Sequence, residues 1–476
     1  MKNVLKLAAA VLIAAVVAVP MFAARGSANF TQFVALGDSY GAGFESNSLN
    51  ERHQVWSWPA VVARQAGLTV CPVTATATTP CFAVPLVSFP GFSNELLLNS
   101  VVPAPVIAPA PGQAAPLMLT FGRPFNNLAV PGATVGALLT VTGAEPPTQG
   151  EPTVVTMSRF ILRGQGTQIA QAVALHPTFI ALWIGGNDYL NVAFSGTPAT
   201  LTSAADFKTR YEAVLDSLIA GAPNAGMVVG NLPAPAGLVP YLTLVPPVLV
   251  DPTTRQPILI GGQPVFFIAK DGNGGVGQVT PGTLIPLHVR DKLAQGFGLP
   301  PALKNIPPFS LLPHTGEPLE ANDVLTPAEI ATVIARVAEY NAIIQQAASA
   351  RNIPVADVKG LFDRAAATGG IQLGPVNVNS AFISGGFYSL DGFHLTDLGY
   401  LLFGNEFIKT INAGYDTEIP LAGIWQLYSN NGAFFPDTAN NLTFTEPNRG
   451  MSDAAVKNIV TFWAQPTVKR LRAVGH

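Results

Sequence analysis

Phe33-Val34-Ala35-Leu36-Gly37-Asp38-Ser39-Tyr40 is the stretch on which the fold turns. Four apolar residues run directly into a glycine, a carboxylate and a serine. An apolar run of this length suits a strand buried on both faces of a parallel sheet, and the glycine permits a tight turn at its end. A serine on such a turn stands at the carboxyl edge of the sheet, where a hydroxyl is readily presented as a nucleophile. By itself, Gly37-Asp38-Ser39 reads equally well as an ordinary turn.

Working outward, three further runs share this character. Phe179–Ile184 stops at Gly185, Met227–Val229 stops at Gly230-Asn231, and Ile353–Ala356 stops at Asp357. Helical stretches lie between them. Ala204–Ala220 precedes the third run, and Thr326–Asn352 precedes the fourth. In the second helix Thr326 as N-cap, Pro327 at the first helical position and Glu329 two residues on form a capping box. Val333, Val337, Tyr340, Ile343 and Ile344 then supply its apolar face at helical spacing. Strands alternating with helices predict an α/β fold with helices on both faces of a central parallel sheet.

Three segments break the alternation. Residues 66–125 are Pro-rich, notably Val102–Pro111, and residues 232–320 carry Gly-Gly pairs, many prolines and short β-type runs such as Pro264–Ala269. Both read as ordered insertions. Residues 421–476, with an amphipathic stretch at Ala454–Trp463, read as a C-terminal extension packed on the domain. The main domain is therefore expected to span 29–420.

Composition narrows the function classes. Of the 476 residues 49% are hydrophobic and only 11% charged, so the chain can bury a large core and lacks the charge of a disordered one. A net charge of −3, with no clustered Lys/Arg, supplies no basic field and excludes nucleic acid as a partner. Residues 1–28 read as a secretory signal peptide. Lys2 and Lys6 form its basic start, Leu7–Val19 its apolar stretch, and Pro20 ends it. Ala23, Ala24 and Ala28 are alternative cleavage positions, of which Gly26-Ser27-Ala28 fits the small-x-small rule best. An uncleaved anchor helix is the rival reading, and thirteen apolar residues are short for the roughly 20 of a membrane span. Export to a secreted, periplasmic or cell-surface location makes the two cysteines, Cys71 and Cys81, readable as a local disulfide. No His or second Cys pair is spaced to complete a metal site with them.

Three more blocks carry chemistry. Asp391-Gly392-Phe393-His394 sets a carboxylate three residues before a histidine, where it can accept the Nδ1 proton and leave Nε2 outward. Gly185-Gly186-Asn187-Asp188 lies at a strand's carboxyl end, and Asn187 could donate its amide to an oxyanion. In Asn127-Leu128-Ala129-Val130-Pro131-Gly132-Ala133 the bare Gly132 leaves its N–H open to close approach. Each block alone has an ordinary structural reading: a surface histidine beside an aspartate, a capping turn, a helix-entry glycine.

Taken together and in order, the four blocks resemble the GDSL family of esterases and lipases, the SGNH hydrolases. The resemblance covers residues 33–400 and implies a three-layer α/β/α, flavodoxin-like fold. It assigns Ser39 as nucleophile, His394 as base, Asp391 as its orienter, and the N–H groups of Ser39 and Gly132 with the Asn187 amide as oxyanion hole. Acyl transfer through an ester on Ser39 follows, with no cofactor or metal required. The implied substrate is a small-molecule or lipid ester, and a lipid substrate would bring a membrane or lipid surface as partner. The sequence assigns no oligomeric state.

Rival readings share these residues. Gly37-x-Ser39-x-Gly41 also matches the nucleophile elbow of α/β-hydrolases, but only about ten residues would precede Ser39, room for one strand rather than several. An acyltransferase, or a lipid- or glycan-binding protein without turnover, could use the same scaffold. The apolar 232–320 segment, with Leu238–Leu242 and Val245–Val250, reads either as a wall or lid favouring lipid acyl esters or as packing at the sheet edge. His53, beside Trp56 and Trp58, reads as surface or packing ahead of pocket-lining. His176 reads as structural, and His288 and His314 have no ligand spacing to join them.

Overall fold

The computed structural model describes residues 23–428, apart from 101–104, 234–238, 252–253, 255 and 375. The apolar run Leu7–Val19 and the stretch Ala454–Trp463 therefore lie outside the described residues. Among those described, no helix is long and apolar enough to cross a membrane.

The central sheet is parallel and runs in the order β1 (Phe33–Gly37), β2 (Phe179–Trp183), β3 (Gly226–Gly230), β4 (Val355–Ala356). Phe33 pairs with Phe179, Phe179 with Gly226, and Val355 with Val229. β1, β2 and β3 are buried along their whole length, which is why they read as unbroken apolar runs rather than alternating ones. Each fully buried large apolar side chain contributes about 1.5–3 kcal/mol. On the free side of β1 runs a further parallel segment: Ala35 N–H donates to Asn126 O (2.8 Å), Leu128 N–H to Ala35 O (2.9 Å) and Val130 N–H to Gly37 O (3.1 Å). With it counted, the spatial order becomes 2-1-3-4-5, the flavodoxin-like order, whose switch point lies at β1. Gly37 is required there, because a Cβ would stand 2.4 Å from Trp183 O.

Helices cover both faces. α1 (Trp58–Gln65), α6 (Val358–Ala366) and α7 (Asp397–Tyr415) form one layer. Trp58 of α1 stacks on Phe407 of α7 at 4.2 Å. α2 (Gln168–Ala174), α4 (Ala204–Gly221) and α5 (Pro327–Ser349) form the other, with α3 (Asn187–Ser195) packed on α5. Phe207 of α4 stacks on Tyr340 of α5 at 3.9 Å. The α5 capping box forms as the sequence implies: Glu329 N–H donates to Thr326 Oγ1, and the Glu329 carboxylate accepts from Thr326 N–H at 2.8 Å. Such a cap stabilises by about 1 kcal/mol.

The irregular segments are ordered in ways the sequence left open. Within 66–125, Leu96–Ser100 pairs antiparallel with Val106–Pro109, so part of the Pro-rich run is a hairpin strand. Within 232–320, the Pro264–Ala269 run divides between two hairpins, Leu259–Ile260 with Gln263–Pro264 and Ile268–Lys270 with Val276–Gln278. This segment buries an apolar cluster of its own, including Phe267, Ile285, Val289, Leu303 and Leu319. Before β1, Arg25 N–H donates to Asn352 O (2.8 Å) and its guanidinium to Pro223 O (2.7 Å), and Ser27 bridges to Ala225.

Cys71 and Cys81 form a disulfide. Its closed loop is short, so the entropy it removes from the unfolded chain is correspondingly modest. Replacing both cysteines by alanine is expected to lower the unfolding free energy by about 2–3 kcal/mol, read by denaturant titration of both proteins. A loss near zero would show that the surrounding packing alone holds this loop.

Candidate active site

Four segments meet at the carboxyl edge of the sheet, and together they carry the five expected residues. Immediately after β1, Asp38 caps the single turn Ser39–Ala42 by accepting Tyr40 N–H at 3.1 Å, which lifts Ser39 to the sheet edge. Ser39 Oγ lies 2.9 Å from His394 Nε2, and His394 Nδ1 lies 2.9 Å from Asp391 Oδ2. With its proton on Nδ1, the imidazole is held by Asp391 and offers Nε2 to the serine hydroxyl. That linear chain can move a proton off Ser39 as its oxygen attacks, with the carboxylate stabilising the resulting imidazolium.

Asp391 is over-determined. Its Oδ1 accepts from the N–H groups of Phe393 and His394 (2.8 Å each) and from the Ser389 hydroxyl (3.1 Å); its Oδ2 also accepts from Asn47 N–H (2.8 Å). Burial works against the charged form, but the His394 ring and these donors outweigh it and draw the carboxyl down to about 2. It therefore stays ionised across the neutral range. The His394 loop is braced besides by Tyr40, whose hydroxyl donates to Phe393 O at 2.7 Å, and by the Phe44 ring at 4.8 Å from the imidazole.

The two remaining expected residues arrive at the same edge. Gly132 follows the segment paired with β1 and has φ +82°, a left-handed backbone where a Cβ would also crowd Val154 N at 3.0 Å. Asn187 opens α3 after β2, and its Nδ2 donates to Ala133 O at 2.9 Å while lying 3.5 Å from Asp38 Oδ2. Asn187 thus joins the Gly132 turn to the Ser39 turn. All five expected residues are brought together, from the ends of β1, the 126–130 segment, β2 and the loop before α7.

Sequence reasoning missed several supports. Asn47 sits eight residues after Ser39 with φ +63°, a conformation asparagine tolerates, and the Gly-poor run Glu45–Asn50 gave no other signal. The acidic residue of Gly186-Asn187-Asp188 carried no assignment either; Asp188 accepts from Val135 N–H (2.9 Å) and the Thr202 hydroxyl (2.9 Å), tying the Gly132 turn to α3.

The sequence profile of the GDSL-like lipase/acylhydrolase family matches residues 33–407. The chain belongs to this family. Membership makes it an ester-hydrolysing enzyme. No curated protein sequence matches this GDSL-family chain. Among solved structures it is similar to the extracellular lipase of Streptomyces rimosus (13% identity over 81% of this chain and 99% of that one, TM-score 0.32). It is likewise similar to phospholipase A1 of Streptomyces albidoflavus (13% identity, 82% and 100% covered, TM-score 0.31). A family 3 carbohydrate esterase of Clostridium thermocellum compares at 13% identity, with 81% and 96% covered and a TM-score of 0.31.

One charge in the site carries a stability consequence. Burial pushes the Asp38 carboxyl up to about 8, the Tyr40 N–H opposes this, and the nearby Asp188 adds to it. A carboxyl raised on folding favours the folded state while protonated. Its contribution is lost as pH rises from the unfolded value near 4 toward about 8. Asp38→Asn keeps an acceptor for Tyr40 N–H and removes the titration. Unfolding free energy measured between about pH 5 and about pH 8 is expected to fall less steeply in the variant than in the parent. Parallel slopes would show that Asp38 is not the group responsible.

Proposed function

We propose that the chain is a secreted serine esterase or lipase working through an acyl-enzyme on Ser39. The observation that carries this reading is the hydrogen-bonded chain Ser39–His394–Asp391 at the carboxyl edge of the sheet. His394 Nε2 takes the Ser39 proton as Oγ bonds to the ester carbonyl carbon. The carbonyl electrons move onto oxygen, where the N–H groups of Ser39 and Gly132 and the Asn187 amide would receive the charge. Collapse breaks the ester C–O bond, and His394 returns the proton to the leaving alcohol. Water, deprotonated by the same imidazole, then attacks the acyl carbon; the bond to Ser39 Oγ breaks and His394 returns that proton to Oγ, releasing the acid.

The substrate class is an ester with an apolar acyl group. Three aromatic side chains support this: Phe194, half exposed, lies 5.3 Å from Tyr241 and 5.6 Å from Phe393, and Phe393 packs on the His394 ring. Tyr241 comes from the 232–320 segment, and its N–H donates to Gly392 O at 2.8 Å, between Asp391 and His394. The insertion thus forms one wall beside the candidate site through Tyr241. Hydrolysis of p-nitrophenyl esters from acetate to palmitate is expected, with longer acyl chains preferred over acetate. Ser39→Ala abolishes it, and Asn187→Ala lowers kcat by on the order of 10²–10³. Undiminished turnover by Ser39→Ala, with folding verified, would refute the nucleophile assignment.

For export we infer a cleaved leader ending at Ala23 or Ala24, with the hydrolase domain of about 29–420 preceded by a short stretch from Arg25 that packs on it. The hydrogen bonds of Arg25 and the bridge of Ser27 support a cut upstream of Arg25, since cleavage after Ala28 would remove both from the domain. N-terminal sequencing of the exported protein should begin at Ala24 or Arg25. A first residue of Asn29 would contradict this.

A further inference from the structure

A buried charge cluster lies next to the candidate active site without belonging to it. His53, on the short helix Glu51–Gln54, is fully buried, and three carboxylates surround its ring. Nδ1 lies 3.1 Å from Asp397 Oδ1 and 3.2 Å from Glu45 Oε2, and Nε2 lies 3.2 Å from Glu95 Oε1. Glu45 and Glu95 are themselves buried. Only the Asp397 contact is aligned as a hydrogen bond, while Glu45 and Glu95 face the two ring nitrogens at ion-pair distance, an arrangement that an imidazolium's delocalised charge suits and a neutral ring does not. Burial pushes the Glu45 carboxyl up to about 8 and the His53 ring opposes this, so a cation among these groups offsets the cost of keeping buried carboxylates ionised.

Each carboxylate belongs to a different part of the site. Glu45 follows Phe44, whose ring packs on His394 and whose N–H donates to Ser39 O at 3.0 Å. Two residues further, Asn47 N–H holds Asp391. Asp397 is the first residue of α7, three after His394. Glu95 accepts from the Asn50 amide at 3.0 Å, beside the Leu96 N–H that donates to Ser46 O at 2.8 Å.

We propose that His53, as an imidazolium between Glu45, Glu95 and Asp397, is a positioning residue for catalysis, tying the loop after Ser39 to the loop of His394. The inference rests on the proposed Ser39–His394 couple. The other charged groups around the cluster are Arg64 of α1, whose charge Asp397 feels, and Glu51 and Arg52 on the helix of His53 itself; the Tyr400 hydroxyl of α7, which donates to Phe44 O, feels the Glu45 charge. Burial disfavours the imidazolium, but Glu45, Asp397 and Glu95 outweigh it and hold the His53 ring well above its ordinary value. The sign follows. Such a histidine stabilises the site fully below the unfolded value near 6.5 and stops doing so as pH rises through the raised folded value.

The test uses the full chain and p-nitrophenyl butyrate, with wild type, His53→Gln, His53→Arg and Ser39→Ala side by side. Misplacing reacting groups by about an ångström can cost about 100-fold, so His53→Gln should lose on the order of 10- to 100-fold in kcat with KM little changed. His53→Arg, a permanent cation, should recover most of that loss and retain activity at alkaline pH where wild type declines. In the ¹⁵N spectrum of histidine-labelled wild type at mildly alkaline pH, one ring should be doubly protonated; this reading stands even where a variant fails to fold. Wild-type kcat in folded His53→Gln, no doubly protonated histidine, or loss of wild-type activity on chelation with EDTA would each overturn the proposal. The last outcome would make a metal ion, held by Glu45, His53 and Asp397, the cation instead. Full activity in Ser39→Ala would instead remove the catalytic couple itself, and so separates the two failures.

Discussion

The parallel pairing of Phe33–Gly37 with strands on both sides is the constraint on which the rest depends. One neighbour is Phe179–Trp183 and the other is the segment Asn126–Val130. Because all three run the same way, their carboxyl ends finish at one edge, and the residues that follow them emerge as adjacent loops. Ser39, Gly132 and Asn187 are those residues. Their proximity is a consequence of strand register rather than of any direct attraction among them. Gly37 makes the register tight enough, since any side chain there would collide with the Trp183 carbonyl.

His394 reaches this edge from the far end of the chain, and its placement needs a different kind of force. Polar contacts do most of it. Asp391 is fixed by four backbone and side-chain donors besides the imidazole, and Tyr40 and Phe44 brace the loop from the serine side. A carboxylate so thoroughly satisfied keeps its charge despite burial, and an ionised Asp391 is what an imidazolium in the proposed acyl transfer would require. The second insertion then acts on the same loop from outside, through Tyr241 on Gly392, while Ser46 of the loop after Ser39 holds Ser389. Variation in the insertions can thus change what the site accepts without disturbing the sheet that builds it.

Legibility in the sequence followed the range of the interaction. The buried strands read as unbroken apolar runs, and the Thr326–Glu329 cap read directly because its partners are three residues apart. The four motif blocks were legible for the same reason, each being local and each leaving a strand or entering a helix. The Asn126–Val130 segment escaped as a strand because only three apolar residues precede Pro131, too few to show a pattern. The His53 cluster was invisible, since Glu45, Glu95 and Asp397 lie up to 344 positions away in sequence. Pro-rich composition hid the hairpins and the separate apolar cluster of the second insertion, because proline marks where backbone donors are missing and not what the remaining side chains bury.

The account stands on Ser39 being a hydroxyl activated by His394. The most direct measurement is covalent trapping with a fluorophosphonate, followed by mass spectrometry of the peptides. A single phosphonyl adduct on Ser39, formed in wild type and almost absent in His394→Gln, is the predicted result. An adduct on another residue, or labelling of Ser39 that proceeds equally fast without the imidazole, would contradict it.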